Sequence, residues 1–507
     1  MRTNITGSVY RLIFCVAVML GHPLSGLGVG LAAADERPNI VWMLADDQGW
    51  AGLSVAMHPE IKGSRGEYYH TPNLEKLAAQ GMRFSAAYAP ASVCSPTRIS
   101  LQTGKSPAQL HWTKAAPAET GHKLIEPQLI KRIADSEVTI AELLRDAGYA
   151  TAHYGKWHIS GGGPERHGYD ESDGDTGNEQ AFKYKDPNPV DIVGMAERTA
   201  AFMKKNAAKK KPFFIQLSWN ALHASQNANA ATLAKYQNLM GSANSKQISI
   251  AAITEDLDTG VGKVLESIDQ LGLARNTYVI YMSDNGAGGG GARRVLNGGK
   301  GGMWEGGIRV PLIIRGPNVE PNSWCHTRVV GYDLFPTFCD WSGIDAQRLP
   351  KGVEGGSIAS LLKNGGQGRV RRSREELVFH FPHYQGDAPH SAILLGNLKL
   401  LHFYEDGRDL LFDLTTDISE RNDLSKTRVT EARQLRERLD KYLADVQAQL
   451  PTRNPSFSGS DDKSGKRAGK NEMEKNHHEE ATLDSSGNRI CKPPVQSYHD
   501  RASGRAR

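Results

Sequence analysis

A short apolar run, a polar rim and an amphipathic helix follow one another several times along this chain. That repeat narrows the fold more than any other feature. "PNIVWMLADDQGW" reads as a buried strand over Ile40 to Ala45, followed by acids. "HTPNLEKLAAQGMRF" reads as a helix with Thr71 as N-cap, Pro72 in the first turn and Gly81 as the stop. "TIAELLRDAGYATAHYGKWH" sets Thr139 and Glu142 at capping-box spacing, stops at Gly148 and runs into a strand. "KPFFIQLSWNALH" is a strand, "EDLDTGVGKVLESIDQLGLARNTYVIYMSDNG" a helix and then a strand, and "VPLIIRGP" another strand. The alternation predicts an α/β domain with a large, mostly parallel sheet covered by helices on both faces.

From about 374 the pattern changes. "LVFHF", "SAILLGNLKLLHF" and "DLLFDL" are short strands joined by tight turns, as in an antiparallel sheet, and "VTEARQLRERLDKYLADVQAQL" is an amphipathic helix. A main domain over 35–373 and a smaller C-terminal α+β subdomain over 374–450 are expected. The polar segment 451–507 buries too little apolar surface to order and is expected to be disordered.

Arg2 and Arg11, the apolar run "LIFCVAVML" and the end "LAAADE" describe a secretory signal over 1–34, cut after Ala34. The run is too short to span a bilayer. The reading is therefore an exported protein, periplasmic or extracellular, with no stable membrane insertion after cleavage. The net charge of +5 over 507 residues suits anionic ligands without calling for nucleic acid. Of the five cysteines, Cys15 leaves with the leader, and Cys94, Cys325, Cys339 and Cys491 remain. Cys325 and Cys339 are candidates for a disulfide, which sequence alone does not decide.

In an open α/β sheet, ligands bind beyond the carboxyl ends of the strands. Asp46 and Asp47 follow "IVWML", Asp284 and Asn285 follow "YVIYMS", Lys156 and His158 follow "TAHYG", and His223 follows "FFIQLSWN". Taken singly, "ADD" and "SDNG" also read as solvated turns. Taken together, three acids and one amide form a hard oxygen donor set that suits Ca²⁺ or Mg²⁺ better than Zn²⁺.

The stretch "CSPTR" adds a different element. Ser95 is a good N-cap and Pro96 a good first helical residue, so a short helix through "TRISLQ" to a stop at Gly104 is expected. Cys94 would then sit just before a helix N-terminus, where backbone N–H groups favour an anion. Arg98 would lie one turn in, with a forked cation suited to a tetrahedral oxyanion. Lys300 of "GGKGG" is a further candidate cation.

"CSPTR", continued by "LQTGKSP", resembles the C-x-P-x-R modification signal of the type I sulfatases of the alkaline phosphatase superfamily. The resemblance runs from about Pro38 to Leu424. It includes "NIVWMLADDQGW", "GKWH", "MSDNG", "GGKGGMWEGGIRVP" and "DLLFDLTTDISERNDLS". "WNALHASQ" departs from the family's His-x-Pro, with Ala224 and Ser225 in its place.

The resemblance implies that a formylglycine-generating enzyme oxidises Cys94 to formylglycine (3-oxoalanine), hydrated to a gem-diol. It implies Ca²⁺ on Asp46, Asp47, Asp284, Asn285 and the modified Cys94. Arg98, Lys156 and Lys300 would balance sulfate charge, His223 would protonate the leaving oxygen, and His158 would act as a base. The implied substrate is a sulfated carbohydrate or an aryl sulfate. The alternatives are a phosphonate monoester or phosphodiester hydrolase of the same superfamily, and an inactive relative that binds sulfated glycans. Candidate specificity segments are Gly161 to Lys185 and "HFPHYQGDAPH", where His383 or His390 would touch a sugar.

Overall fold

The computed structural model describes residues 37–223, 226–288 and 295–457. The expected leader over 1–34 lies outside them. The strand Asn39–Ala45 is buried along its whole length. Its side chains divide by the period of two that a strand imposes. Ile40, Trp42 and Leu44 enter one apolar cluster, and Val41, Met43 and Ala45 enter another. The strand Thr277–Ser283 divides in the same way, with Tyr278, Ile280 and Met282 on one side and Val279 and Tyr281 on the other. One cluster gathers the helices Cys94–Thr103, Ile140–Asp146 and Leu334–Trp341. The other gathers Pro72–Ala79, Ile192–Ala207 and Ser245–Gln270. Helices therefore cover both faces of the sheet, as the alternation predicts.

The sheet has eight strands. Across it run Ser323–Cys325, Met82–Phe84, Leu312–Arg315, Thr277–Ser283, Asn39–Ala45, Phe213–Ser218, Ala150–Gly155 and Glu171–Ser172. Leu312–Arg315 pairs antiparallel with both of its neighbours, and the other pairings are parallel. The four strands from Thr277–Ser283 to Ala150–Gly155 are consecutive and parallel, so their carboxyl ends share one rim.

A second sheet is an antiparallel meander of Leu377–Phe381, His390–Leu395, Leu398–Phe403 and Asp409–Asp413. Val378, Ile393, Leu400 and Leu411 on one face pack on Leu435, Leu439 and Tyr442 of the helix Val429–Asp445. Phe379, Phe381, Leu401 and Phe403 on the other face pack on Tyr88, Met303 and Ile308. The small sheet thus shares its core with the segment that carries Lys300.

The capping box holds: Thr139 Oγ1 accepts from Glu142 N at 3.2 Å, and the Glu142 carboxylate accepts from Thr139 N at 2.7 Å. Thr71 is the N-cap residue of Pro72–Ala79 but its side chain does not cap. The Asp258 carboxylate takes Asn73 N at 3.0 Å and Leu74 N at 2.8 Å instead. Cys325 and Cys339 are buried free thiols. The segment from 451 is not disordered at its start, because Thr452–Arg453 pairs with Leu124–Ile125. That pairing satisfies backbone groups without apolar burial, so composition does not announce it. Residues 458–507 lie outside the described residues.

Candidate active site

Each strand end delivers its group by continuing the ladder past the last strand residue. Asp46 N donates to Ala221 O at 2.8 Å, Asp284 N to Ala45 O at 3.0 Å and Lys156 N to Ser218 O at 2.7 Å. Gly155 makes the last step possible. It has φ +89°, and a Cβ there would lie 2.3 Å from Ser218 O. Asp47 and His158 adopt left-handed backbone at φ 61° and 58°. Such strained positions concentrate at functional sites.

Cys94 comes to this rim from a helix and not from a strand end. The helix runs Cys94–Thr103, every residue of it buried, and Gly104 at φ 71° ends it in the left-handed conformation. Its N-cap is Val93, without a side-chain cap, so the helix starts earlier than the Ser95 cap predicts. The reason is local. Ser95 Oγ pairs with His158 Nδ1 at 3.2 Å instead of capping, and Pro96 sits in the first turn, where its missing N–H costs nothing. Cys94 therefore occupies the first helical position. Ser95 as the partner of His158 is a functional contact the sequence reading misses, since a capping serine and a pairing serine look alike in sequence.

Cys94 Sγ lies 3.3 Å from Asp46 Oδ1, 4.0 Å from Asp47 Oδ1 and 3.4 Å from Lys300 Nζ. One ligand atom from each of Asp46, Asp47, Cys94 and Asp284 falls within 4.8 Å of the others. Arg98 forks onto Asp284 Oδ2 through Nε at 3.1 Å and Nη2 at 2.8 Å, and donates from Nη1 to Lys156 O at 2.6 Å. Lys156 Nζ pairs with Asp46, and Lys300 Nζ with Asp47 at 2.6 Å. The structure thus brings Cys94, Arg98, Lys156, His158, Lys300 and the four oxygen donors together. His223, whose N donates to Asn220 O at 2.8 Å, is close enough for its charge to act on Asp46 and His158.

The electrostatics follow from burial. Burial opposes ionisation of Asp46, but Lys156, His223, Arg98 and Lys300 outweigh it and hold the carboxyl well below its usual range. Asp284 is pushed up to about 6 by burial and then by the Asp46 carboxylate. Burial, then Asp46, pushes the Cys94 thiol up against the pull of Lys156 and Lys300. The unmodified side chain is therefore a protonated thiol and a poor nucleophile. Burial, then Lys156 and Arg98, pushes His158 down to about 2, so its imidazole is neutral and, beside those two cations, a weak base.

The donors fit a hard divalent cation. Asn285 Nδ2 donates to Asp47 Oδ1 at 2.8 Å, while Asn285 Oδ1 is buried with no hydrogen-bond partner. A buried acceptor without a donor is costly unless something electropositive meets it. Three carboxylates crowd beside it and complete a set of hard oxygen donors.

The Gly161–Lys185 segment has a buttressing role. Thr176 accepts Trp157 N on its hydroxyl at 3.0 Å and His158 N on its carbonyl at 2.8 Å, which shapes the loop carrying Lys156 and His158. His383 and His390 are buried and turned to protein partners. His383 is wholly buried between Thr113 at 2.7 Å and Glu126 at 2.9 Å, and His390 between Met303 N at 2.8 Å and Ala388 O at 2.7 Å. Both satisfy buried polar groups where the small sheet meets the main core.

The central strand ends of a mostly parallel sheet thus gather three carboxylates, an amide and three cations around one cysteine. The chain belongs to the sulfatase family. The family profile described as Sulfatase matches residues 38–344, and that described as N-sulphoglucosamine sulphohydrolase, C-terminal, matches 299–449. N-acetylgalactosamine-6-sulfatase of Canis lupus familiaris is 28% identical over 420 residues, covering 75% of this chain and 74% of its own. A sulfatase of Formosa agariphila is 29% identical over 477 residues, covering 77% and 85%. Among solved structures, that of Ps i-CgsB in complex with k-i-k-neocarrahexaose superposes with TM-score 0.67 at 23% identity, covering 87% of this chain and 99% of that one.

Proposed function

We propose that this protein hydrolyses sulfate monoesters of carbohydrates, with residue 94, oxidised from cysteine to formylglycine, as nucleophile and Ca²⁺ or Mg²⁺ as cofactor. The observation that carries the reading is the setting of Cys94. It sits in the first turn of a buried helix, against Asp46, Asp47 and Lys300, with its own thiol held protonated. Family membership supplies the sulfate ester. The relatives named above, an N-acetylgalactosamine-6-sulfatase and a structure in complex with k-i-k-neocarrahexaose, support a sugar as its carrier. Export and a formylglycine-generating enzyme as partner belong to the same proposal. Among the described residues, no helix is long and apolar enough to cross a membrane.

Asp46, Asp47, Asp284, Asn285 and the oxygen of modified residue 94 would hold the cation. That cation would supply Lewis acidity and positive charge toward sulfate, and the modified side chain a hydroxyl nucleophile. The chain's own residues do the rest. Three carboxylates, Asp46, Asp47 and Asp284, are balanced by Arg98, Lys156 and Lys300. Loading a dication makes the site net positive, so it attracts an anionic sulfate. Lys300 reaches residue 94 and can meet a sulfate oxygen there. Arg98, locked on Asp284 and the Lys156 carbonyl, holds the first helical turn against the strand ends. His158, oriented through Ser95, would accept the proton at residue 94 once the negative charge of bound sulfate offsets Lys156 and Arg98, which otherwise hold its imidazole neutral. His223 protonates the departing oxygen.

Release of inorganic sulfate from sulfated sugars by the full-length protein tests the reading. Turnover of phosphonate or phosphate diesters at a higher kcat/KM would favour the superfamily alternative, and binding without turnover the inactive one.

The role of His223 has its own test. A sugar alkoxide is a poor leaving group and needs a proton in the transition state, whereas nitrophenolate needs little help. His223→Ala is expected to slow a sugar sulfate by about a hundredfold to ten-thousandfold and 4-nitrophenyl sulfate far less. Equal loss on both substrates would remove His223 from the acid role.

A further inference from the structure

The loop between the strands Leu377–Phe381 and His390–Leu395 is clamped onto the segment that carries Lys300. Trp304 Nε1 donates to Asp387 Oδ2 at 2.9 Å, and Met303 N to His390 Nε2 at 2.8 Å. On its other flank a buried pair fixes the backbone of Tyr384. Lys114 Nζ donates to Tyr384 O at 2.8 Å, and Tyr384 N donates to Glu126 Oε1 at 3.0 Å. So rigid a setting makes the next residue, Gln385, unexpected. It is partly buried, and its carbonyl oxygen Oε1 is buried with no hydrogen-bond partner.

The amide lies against Gly301, next to Lys300. A Cβ on Gly301 would stand 2.8 Å from Gln385 O, 3.1 Å from its Cγ and 3.3 Å from its Cδ. Gly301 has φ +88°, and its N donates to Ser92 O at 3.0 Å, two residues before Cys94. Glycine at 301 thus leaves room for the Gln385 side chain between the small sheet and the loop of Lys300, whose ammonium touches residue 94.

We infer that Gln385 is a specificity residue that hydrogen-bonds a hydroxyl of a carbohydrate leaving group while sulfate sits at residue 94. The inference rests on the sulfate-ester reading above. A neutral amide both donates and accepts, as sugar hydroxyls do, and it offers nothing to a plain aryl ring. The unpartnered oxygen is closed off from solvent, and a turn of the partly exposed side chain would present it to a sugar O–H that satisfies it. A site with such a group rejects ligands that lack the matching hydroxyl, because its own polar atom then stays unpaired.

The test compares wild type with Gln385→Ala. The probes are N-acetylgalactosamine 6-sulfate, glucosamine 6-sulfate, a sulfated carrageenan oligosaccharide and 4-nitrophenyl sulfate. The ratio of kcat/KM on the best sugar sulfate to that on 4-nitrophenyl sulfate is expected to fall about tenfold in the variant, mainly through KM on the sugar. An unchanged ratio, or an equal loss on both substrates, overturns the inference. If wild type cleaves 4-nitrophenyl sulfate but none of the three sugar sulfates, the inference fails and the sulfatase reading stands. If wild type cleaves none of the four, the sulfatase reading itself fails.

Discussion

Cys94→Ala is expected to lower turnover of a sulfate ester by several orders of magnitude, the scale seen when the attacking group of a covalent mechanism is removed. Alanine leaves the helix intact, since it is a good helix former at a position that needs no cap. It also leaves Asp46, Asp47 and Lys300 in place, so binding of a sulfate ester is expected to survive. Cys94→Ser is the sharper variant. A serine hydroxyl can attack once, but it lacks the second hydroxyl of a hydrated aldehyde, so it has no internal route to release sulfate. A burst followed by near-silence is expected from the serine variant, and no burst from the alanine variant. Steady-state kcat in either variant within about tenfold of wild type would show that residue 94 is not the nucleophile.

Removal of divalent metal is expected to abolish turnover, with Ca²⁺ or Mg²⁺ restoring it better than Zn²⁺. Three carboxylates, two of them wholly buried, and one orphan amide oxygen meet at the strand ends. Oxygen donors of this kind favour hard cations, and zinc prefers nitrogen and sulfur. Asp284→Ala should weaken metal binding and activity together. It also strips Arg98 of its forked partner, so a second variant is needed. Asn285→Ala removes the unpartnered oxygen and, toward the other ligands, the bond to Asp47 alone among the described contacts. Lower metal affinity in Asn285→Ala, read by calorimetry, is expected. Normal turnover by protein shown metal-free by elemental analysis would refute the ligand assignment.

Much of this site is legible in the chain because a parallel sheet aligns the carboxyl ends of its strands. Asp46, Asp284, Lys156 and His223 lie far apart in sequence, yet each follows an apolar run, and adjacent parallel strands need no further information to bring those ends together. Side-chain choice is less legible. Ser95 caps in the sequence reading and pairs with His158 in the structure, since a hydroxyl takes whichever partner the fold presents. His383 and His390 look like sugar ligands in a polar segment, but the loop turns His383 inward and the strand His390–Leu395 buries His390. No local pattern shows which side of a loop faces the core. Gln385 lies in a segment the sequence singles out, but nothing marks it there above its neighbours, because an unsatisfied amide is a property of its surroundings.

The central claim is that residue 94 reaches its role by losing its thiol. Mass spectrometry of the peptide containing residue 94, taken from purified active enzyme, tests it most directly. The account predicts a peptide lighter than the encoded one, with CH₂SH replaced by an aldehyde that reacts with a hydrazide probe. Fully active enzyme whose residue 94 is entirely unmodified cysteine would contradict it.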